Sequence, residues 1–192
     1  MNIVDFKKKL PVLNEIIFFD KNQYLREKCS NPFILEQLIN AGETLLEELT
    51  DNEEDKYFLC GVLGHLYRVY GQPKKAIYYL TLCLKQAIRE GNISKEVVSL
   101  IRYGEALKYD HKHREALKIF NKALDKCKEN ALHSYVDFAL QHKGKCLLEL
   151  TKIDEAENCF LEAFKIRKLK ANGSLLDSTQ QAIDFVKSMR DS

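Results

Sequence analysis

Six cysteines and five histidines are the side chains of this 192-residue chain with the widest chemical reach. Cys29, Cys60, Cys83, Cys127, Cys146 and Cys159 include no Cys-x-x-Cys pair, so their spacing gives no support to a structural zinc site. His65, His111, His113, His133 and His142 are scattered. His111-Lys112-His113 falls in a predicted turn with no third ligand at a known metal spacing, and is read as a solvated loop. There is no Gly-rich phosphate loop and no nucleophile motif. The expectation is a protein without catalytic residues, metal or cofactor. Its cysteines are expected to be reduced, small apolar core residues, which points to the cytoplasm.

Composition narrows the class. The apolar fraction is 45% and the charged fraction 30%, the balance of a folded chain rather than a disordered one. With only 8 Gly and 3 Pro, long elements are allowed and a turn-rich all-β fold is disfavoured. A formal charge of +2 is too small to argue for nucleic acid or a membrane surface. No stretch approaches the roughly 18 apolar residues of a membrane helix. Lys7, Lys8 and Lys9 followed by Val12, Leu13, Ile16, Ile17, Phe18 and Phe19 faintly resemble a secretion signal. Glu15 interrupts that run, and Asp20 stands where small residues should mark cleavage.

The elements that must position any site come from an internal repeat. Gly64, Gly104 and Gly144 are 40 residues apart, as are Ala76, Ala116 and Ala156. Tyr67, Leu107 and Leu147 keep the register, as do Leu80, Phe120 and Phe160, then Cys83, Ala123 and Ala163. Each unit reads as two helices with apolar residues every three or four positions. The first helices are predicted over 55–70, 94–109 and 134–150, and the second over 73–89, 113–129 and 153–170. Gly71 can end a helix in the left-handed conformation, and Pro73 can open the next. Thr151 with Asp154, and Ser174 with Asp177, have the spacing of capping boxes. A Gly within a helix costs about 1 kcal/mol against Ala, so three at a fixed period suggest close helix contacts that outweigh the cost.

The pattern Leu63-Gly64, Tyr67, Gly71, Ala76, Leu80, Cys83, repeated as Tyr103-Gly104, Leu107, Ala116, Phe120, Ala123 and as Lys143-Gly144, Leu147, Ala156, Phe160, Ala163, resembles the tetratricopeptide repeat over about residues 57–171. The family unit is about 34 residues, so the 40-residue unit resembles the long-repeat branch found in kinesin light chains and in bacterial Rap-type regulators. Cys60, Leu100 and Leu140 replace the usual leading aromatic, and the usual closing proline is absent. The resemblance implies an all-α solenoid of nine or so antiparallel helices in a right-handed superhelix, with no sheet. The expected division is 1–52 as a helical cap or degenerate repeat, 53–92, 93–132 and 133–172 as repeats, and 173–192 as a capping helix. Asn31-Pro32 should open a helix in the first segment with the stripe Ile34, Leu38, Ala41, Leu45 and Leu49. In the last, Leu176, Ala182, Ile183, Val186 and Met189 should share one side.

The resemblance also implies a concave groove lined by the first helix of each unit. Carried over by register, it holds Phe58, Gly61, Val62, His65 and Arg68, then Val98, Ile101, Arg102, Glu105, Lys108 and Tyr109, then Phe138, Gln141, His142, Lys145 and Glu149. The expected peptide-binding residues are His65, Arg68, Ile101, Arg102, Lys108, Phe138, His142 and Lys145. Arg68, Arg102, Lys108 and Lys145 outnumber Glu105 and Glu149, which suits an acidic segment with apolar anchors. His65 and His142 should add charge below about pH 6.5. The alternative is that these charges are only the wet faces of the helices.

The chaperone-binding members of the family clamp a terminal carboxylate with Lys, Asn, Asn, Lys and Arg. The matching positions here are Gly61, His65, Arg102, Phe138 and His142, so that specificity is not expected. The leading expectation is a scaffold that binds a protein or peptide, with a Rap-like sensor of a peptide or partner as a special case. RNA reading by helical repeats is the competing class. Val62, Arg102 and His142 at matched positions form no one-base-per-repeat code, which speaks against nucleic acid. Nothing in the sequence calls for a membrane, and a homo-oligomer is admitted. A second docking surface is expected if Phe18, Phe19 and Tyr24 form an exposed patch.

Overall fold

The computed structural model describes residues 1–49, 52–171 and 173–190. The chain starts with α1 (Ile3–Lys9), a 3-10 turn (Leu10–Val12) and α2 (Leu13–Ile16), followed by a hairpin of β1 (Ile17–Asp20) and β2 (Arg26–Cys29). Then come α3 (Pro32–Glu48), α4 (Glu53–Val69), α5 (Pro73–Arg89), α6 (Ile93–Tyr109), α7 (His113–Glu129), α8 (Val136–Glu149), α9 (Ile153–Leu169) and α10 (Gly173–Arg190). From α3 onward each helix packs on the next, and α4 touches α6 as α6 touches α8. This is the all-α, tetratricopeptide-type helix-pair solenoid. The expected unit boundary at residue 172, and residues 191–192 of the last unit, lie outside the described residues.

The turns between helices are set by one backbone device repeated every 20 residues. Gly71, Gly91, His111, Ala131, Thr151 and Ala171 all take the left-handed conformation, with φ between 53° and 84°. The amide of the following residue reaches back to the last helical turn, as in Gln72 N–H to the Tyr67 carbonyl (2.8 Å) and Lys112 N–H to the Leu107 carbonyl (2.9 Å). These bonds satisfy carbonyls that the helix end would otherwise orphan. Thr151 is therefore the residue that closes α8, not a cap for α9. The N-cap of α9 is Lys152, which makes no side-chain capping bond. Asn31, Asn52 and Asn92 do cap α3, α4 and α6 by accepting from the amides of Ile34, Asp55 and Lys95.

The 40-residue glycines lie at helix contacts. A Cβ on Gly64 would stand 2.5 Å from Leu80 Cγ, one on Gly104 2.7 Å from Phe120 Cε1, and one on Gly144 2.6 Å from Phe160 Cε1. The large residue 16 positions later fills the space the glycine leaves, so the sequence register is also the packing register. At the far end, buried Arg167 on α9 donates to Asp137 on α8 (2.9 Å) and to Thr179 Oγ1 on α10 (2.7 Å), tying the last three helices together.

The expectation of helix throughout residues 1–52 and of no sheet fails at the hairpin. β1 and β2 pair antiparallel, Ile17 with Cys29 through Asp20 with Arg26. The apolar run Ile16–Phe19 is too short for a stable helix and rich in β-branched and aromatic residues, and the Asp20–Gln23 stretch supplies turn chemistry. Asp20 accepts from the Asn22 amide, and Tyr24 and Leu25 both adopt positive φ (51° and 61°). The expected exposed aromatic patch also breaks up. Phe18 is exposed, whereas Phe19 and Tyr24 are half-buried against the C-terminal helices.

Candidate functional site

The inner face of the solenoid is built by one stripe from each of α4, α6 and α8. Positions separated by three or four residues lie above one another on a helix, so Phe58, Gly61, Val62, His65 and Arg68 form a single row on α4. Val98, Ile101, Arg102 and Glu105 make the row on α6, and Phe138 and His142 that on α8. These rows line one cavity of about 830 Å³, closed on the N-terminal side by Leu10, Leu13 and Glu27. Six of the eight predicted site residues therefore meet at this cavity: His65, Arg68, Ile101, Arg102, Phe138 and His142. Lys108 and Lys145 do not line it. They are buried farther along the inner face, beside the hairpin.

Arg102 is exposed and lies across Gly61, where a Cβ would be 2.7 Å from its Nη1. Gly61 thus leaves room for the guanidinium to rest on the neighbouring helix. Among the described residues Arg102 makes no ion pair. Phe58, Val62, Val98, Ile101 and Phe138 line the same cavity, as do Glu27, Glu54 and Glu105, which are paired with Arg68 and Lys95.

The other cations of the inner face are buried against groups of the fold itself. Arg68 contacts Glu27 from β2 and Glu105 from α6, the latter at 3.1 Å. Burial alone would raise the Glu27 carboxyl, but Arg68 outweighs it and holds it at about 2. The Glu105 carboxyl is held well below its usual range by Arg68 in the same way, against burial. Lys108 lies 3.6 Å from Glu149, and burial lowers its ammonium. Lys145 stands 3.9 Å from the Phe19 ring centroid, a cation–π contact, and burial, with Lys108 nearby, lowers it to about 8.

His65 is not the acid-side charge the sequence suggests. Its Nδ1 is 2.9 Å from Arg68 Nη2, so the imidazole accepts. Burial, reinforced by Arg68, lowers it to about 4. His142 stacks on Phe120 with its Nδ1 3.3 Å from Glu105. His113, read from sequence as part of a solvated loop, opens α7 and bonds Glu149 through Nε2 at 2.6 Å.

Sequence reasoning missed the N-terminal contribution altogether. Arg26 makes a bidentate pair with Glu149 (2.9 and 2.5 Å) and donates to the Lys108 carbonyl (3.1 Å). The Glu27 amide donates to Tyr109 Oη at 2.6 Å. The guanidinium groups of Arg26 and Arg68 both lie over the Tyr109 ring, 4.9 and 4.7 Å from its centroid. The signal available was the short β-prone run with Asp and Asn turn residues after it. Which face it would cover could not be read from the repeat frame.

No protein-family model matches the chain, and no curated protein sequence matches it. Solved structures do. The apo form of RapI superposes with a TM-score of 0.67 at 18% identity, over 97% of this chain and 62% of that one. Bacillus thuringiensis PlcR, solved with the peptide PapR7 and DNA, superposes with a TM-score of 0.67 at 20% identity, over 78% of this chain and 54% of PlcR. The repeats of a putative kinesin light chain from Podosopora anserina give 0.65 at 9% identity over 97% of this chain. At these identities the likeness is one of fold, that of a tetratricopeptide-type repeat protein. This chain spans about three fifths of RapI and about half of PlcR.

Proposed function

We propose that this protein is a non-catalytic scaffold that holds a short segment of a partner protein or a peptide in the cavity of its inner face. The observation that carries this reading is a cavity about 830 Å³ in volume, spanning α4, α6 and α8, with one unpaired guanidinium set in an apolar wall. Arg102 offers a carboxylate of the ligand a charged, planar partner. Phe58, Val98, Ile101 and Phe138 offer footing for one or two apolar side chains. The acidic preference rests on Arg102 rather than on a generally basic groove, since Arg68 and Lys108 are already paired. PlcR, which shares the fold, was solved with a peptide bound, and that likeness supports the same class of ligand here.

The binding unit is read as repeats 53–92, 93–132 and 133–172, with 1–52 and 173–192 as its ends. A reducing compartment, the cytoplasm, fits six free thiols. Among the described residues no helix is long and apolar enough to cross a membrane. The test is capture from a lysate of the native host by wild type and by Arg102→Glu. A protein retained by wild type and lost by the variant supports the reading. Equal recovery by both removes Arg102 and this cavity from it.

A further inference from the structure

The hairpin of residues 17–29 sits on the solenoid as a ligand would. Its contacts run along the inner face, they come from successive residues of one strand and its turn, and they combine one apolar anchor with two charged side chains. Leu25 is 3% exposed, buried in the apolar cluster that α8, α9 and α10 build. Next to it Arg26 grips Glu149 and the Lys108 carbonyl, and Glu27 takes Arg68 with its carboxylate and Tyr109 with its amide. Phe19 covers Lys145.

We infer that the part of the inner face formed by Arg68, Tyr109, Lys145 and Glu149 is a second segment-binding site, specific for an apolar–Arg–Glu triplet, and that its occupant is this chain's own hairpin. The inference rests on the scaffold reading above for what the hairpin competes with. Glu27 belongs to both places: it lines the cavity that Arg102 also lines, and it holds Arg68. An acidic segment that extends from Arg102 toward Arg68 therefore meets Glu27 as a built-in competitor, and must displace it to gain the second cation.

Local release is compatible with the rest of the fold. The hairpin follows α2 directly and leads into α3, and its first rung, Ile17 with Cys29, packs against the apolar cluster that joins α1 and α3 through Phe6. Release therefore means that the part beyond this rung, Phe18 to Lys28, lifts from α8 while the rung stays on the core. A two-stranded hairpin on its own is marginally stable in water, and Tyr24 and Leu25 in left-handed conformations add a local strain that only docking offsets. Once released it has no reason to keep its shape. Covalent tethering corresponds to an effective concentration of roughly millimolar or more, so the docked state can be held by few contacts and still be opened.

The test needs no partner. Amide exchange and acylation by an amine-reactive acetyl ester are followed on the full chain, wild type and Arg26→Ala/Glu27→Gln. In wild type the amides of 17–29 should exchange through an opening that leaves α5 and α7 closed. In the double variant they should exchange at least about tenfold faster, with α5 and α7 unchanged. Lys145 should be acylated about tenfold faster than in wild type, with exposed Lys122 as the internal reference. A synthetic peptide copying residues 17–29, at roughly millimolar concentration to match tethering, should restore protection to Lys145 in the variant. Loss of protection in 17–29 and in α5 and α7 together would make the hairpin part of the core and overturn the inference. So would Lys145 staying protected in the variant, or a peptide that gives no protection. None of these results bears on Arg102, whose own test is partner capture.

Discussion

The Glu27 carboxylate and the Arg68 guanidinium are in contact across 41 residues of sequence, and the contact joins the N-terminal hairpin to the first repeat. It also sets the charge of the inner face. Arg68 is shared between Glu27 and Glu105, and Lys108 faces Glu149, so three carboxylates absorb cations that a count along the repeats would leave free. What remains for a ligand is the apolar wall and Arg102.

The same cluster predicts how stability responds to acid. His65 has its ordinary value of 6.5 in the unfolded chain and about 4 in the fold. Between those values the unfolded chain binds a proton that the folded protein refuses, so stability falls as pH drops from 6.5 to 4. The Glu27 contribution is present above 4.5 and is lost as pH falls from there to about 2. Urea unfolding at pH 7, 5.5 and 4.5 should show a progressive loss, roughly 2 kcal/mol by pH 4.5, attributable to His65. In His65→Asn the slope over this window should be visibly flatter. An unchanged slope would mean that His65 titrates in the fold as it does in the unfolded chain.

Gly104 makes the packing prediction. Its Cβ position is already occupied by the Phe120 ring, so Gly104→Leu must part α6 from α7 and should cost several kcal/mol, on the order of the larger overpacking penalties. Gly91 has nothing within 4 Å of a Cβ but sits at φ +63°. Gly91→Ala should therefore cost only about 1 kcal/mol, from the backbone alone. Thermal melts that rank the two variants the other way would show that the helix contact is misplaced.

Much of this was legible in the sequence because one 40-residue period repeats both the small residues and the stripes. The second helices of all three units begin where the pattern puts them, at Pro73, His113 and Ile153. The rows through His65, Arg102 and His142 follow from the same frame. The hairpin was not legible from it, because residues 17–29 have no counterpart in the repeat and their position depends on contacts with residues 82 and 123 positions away. Whether a lysine such as Lys145 faces solvent or lies beneath Phe19 is decided by that non-local docking, which helix periodicity does not encode. Thr151 was misread for a related reason. A Thr three residues before an Asp suits an N-cap, but the left-handed turn that ends α8 takes that position first.

That turn gives a stabilising prediction. Ala131 holds at φ 53° the place that Gly71 and Gly91 hold in the first unit. Ala131→Gly relieves the left-handed strain at the cost of some unfolded-state entropy, a net gain of about 0.5 to 1 kcal/mol. The melting temperature should rise by a few degrees. A fall would show that the Ala131 methyl group contributes packing that offsets its strain.

The proposed function turns on whether the cavity across α4, α6 and α8 recognises an acidic segment through Arg102. The most direct measurement is the Kd of the segment captured from the host for wild type and for Arg102→Glu, at low and at high salt, with melting curves for both proteins. Lys145 is left intact, since reversing its charge would disturb Phe19 and the hairpin. Binding should be at least about tenfold weaker in Arg102→Glu, a difference of roughly 1.4 kcal/mol or more. Added salt should weaken wild-type binding, and the melting temperature should move by no more than a degree or two, because Arg102 is exposed and unpaired. Equal Kd values for the two proteins, insensitive to salt, would contradict that recognition.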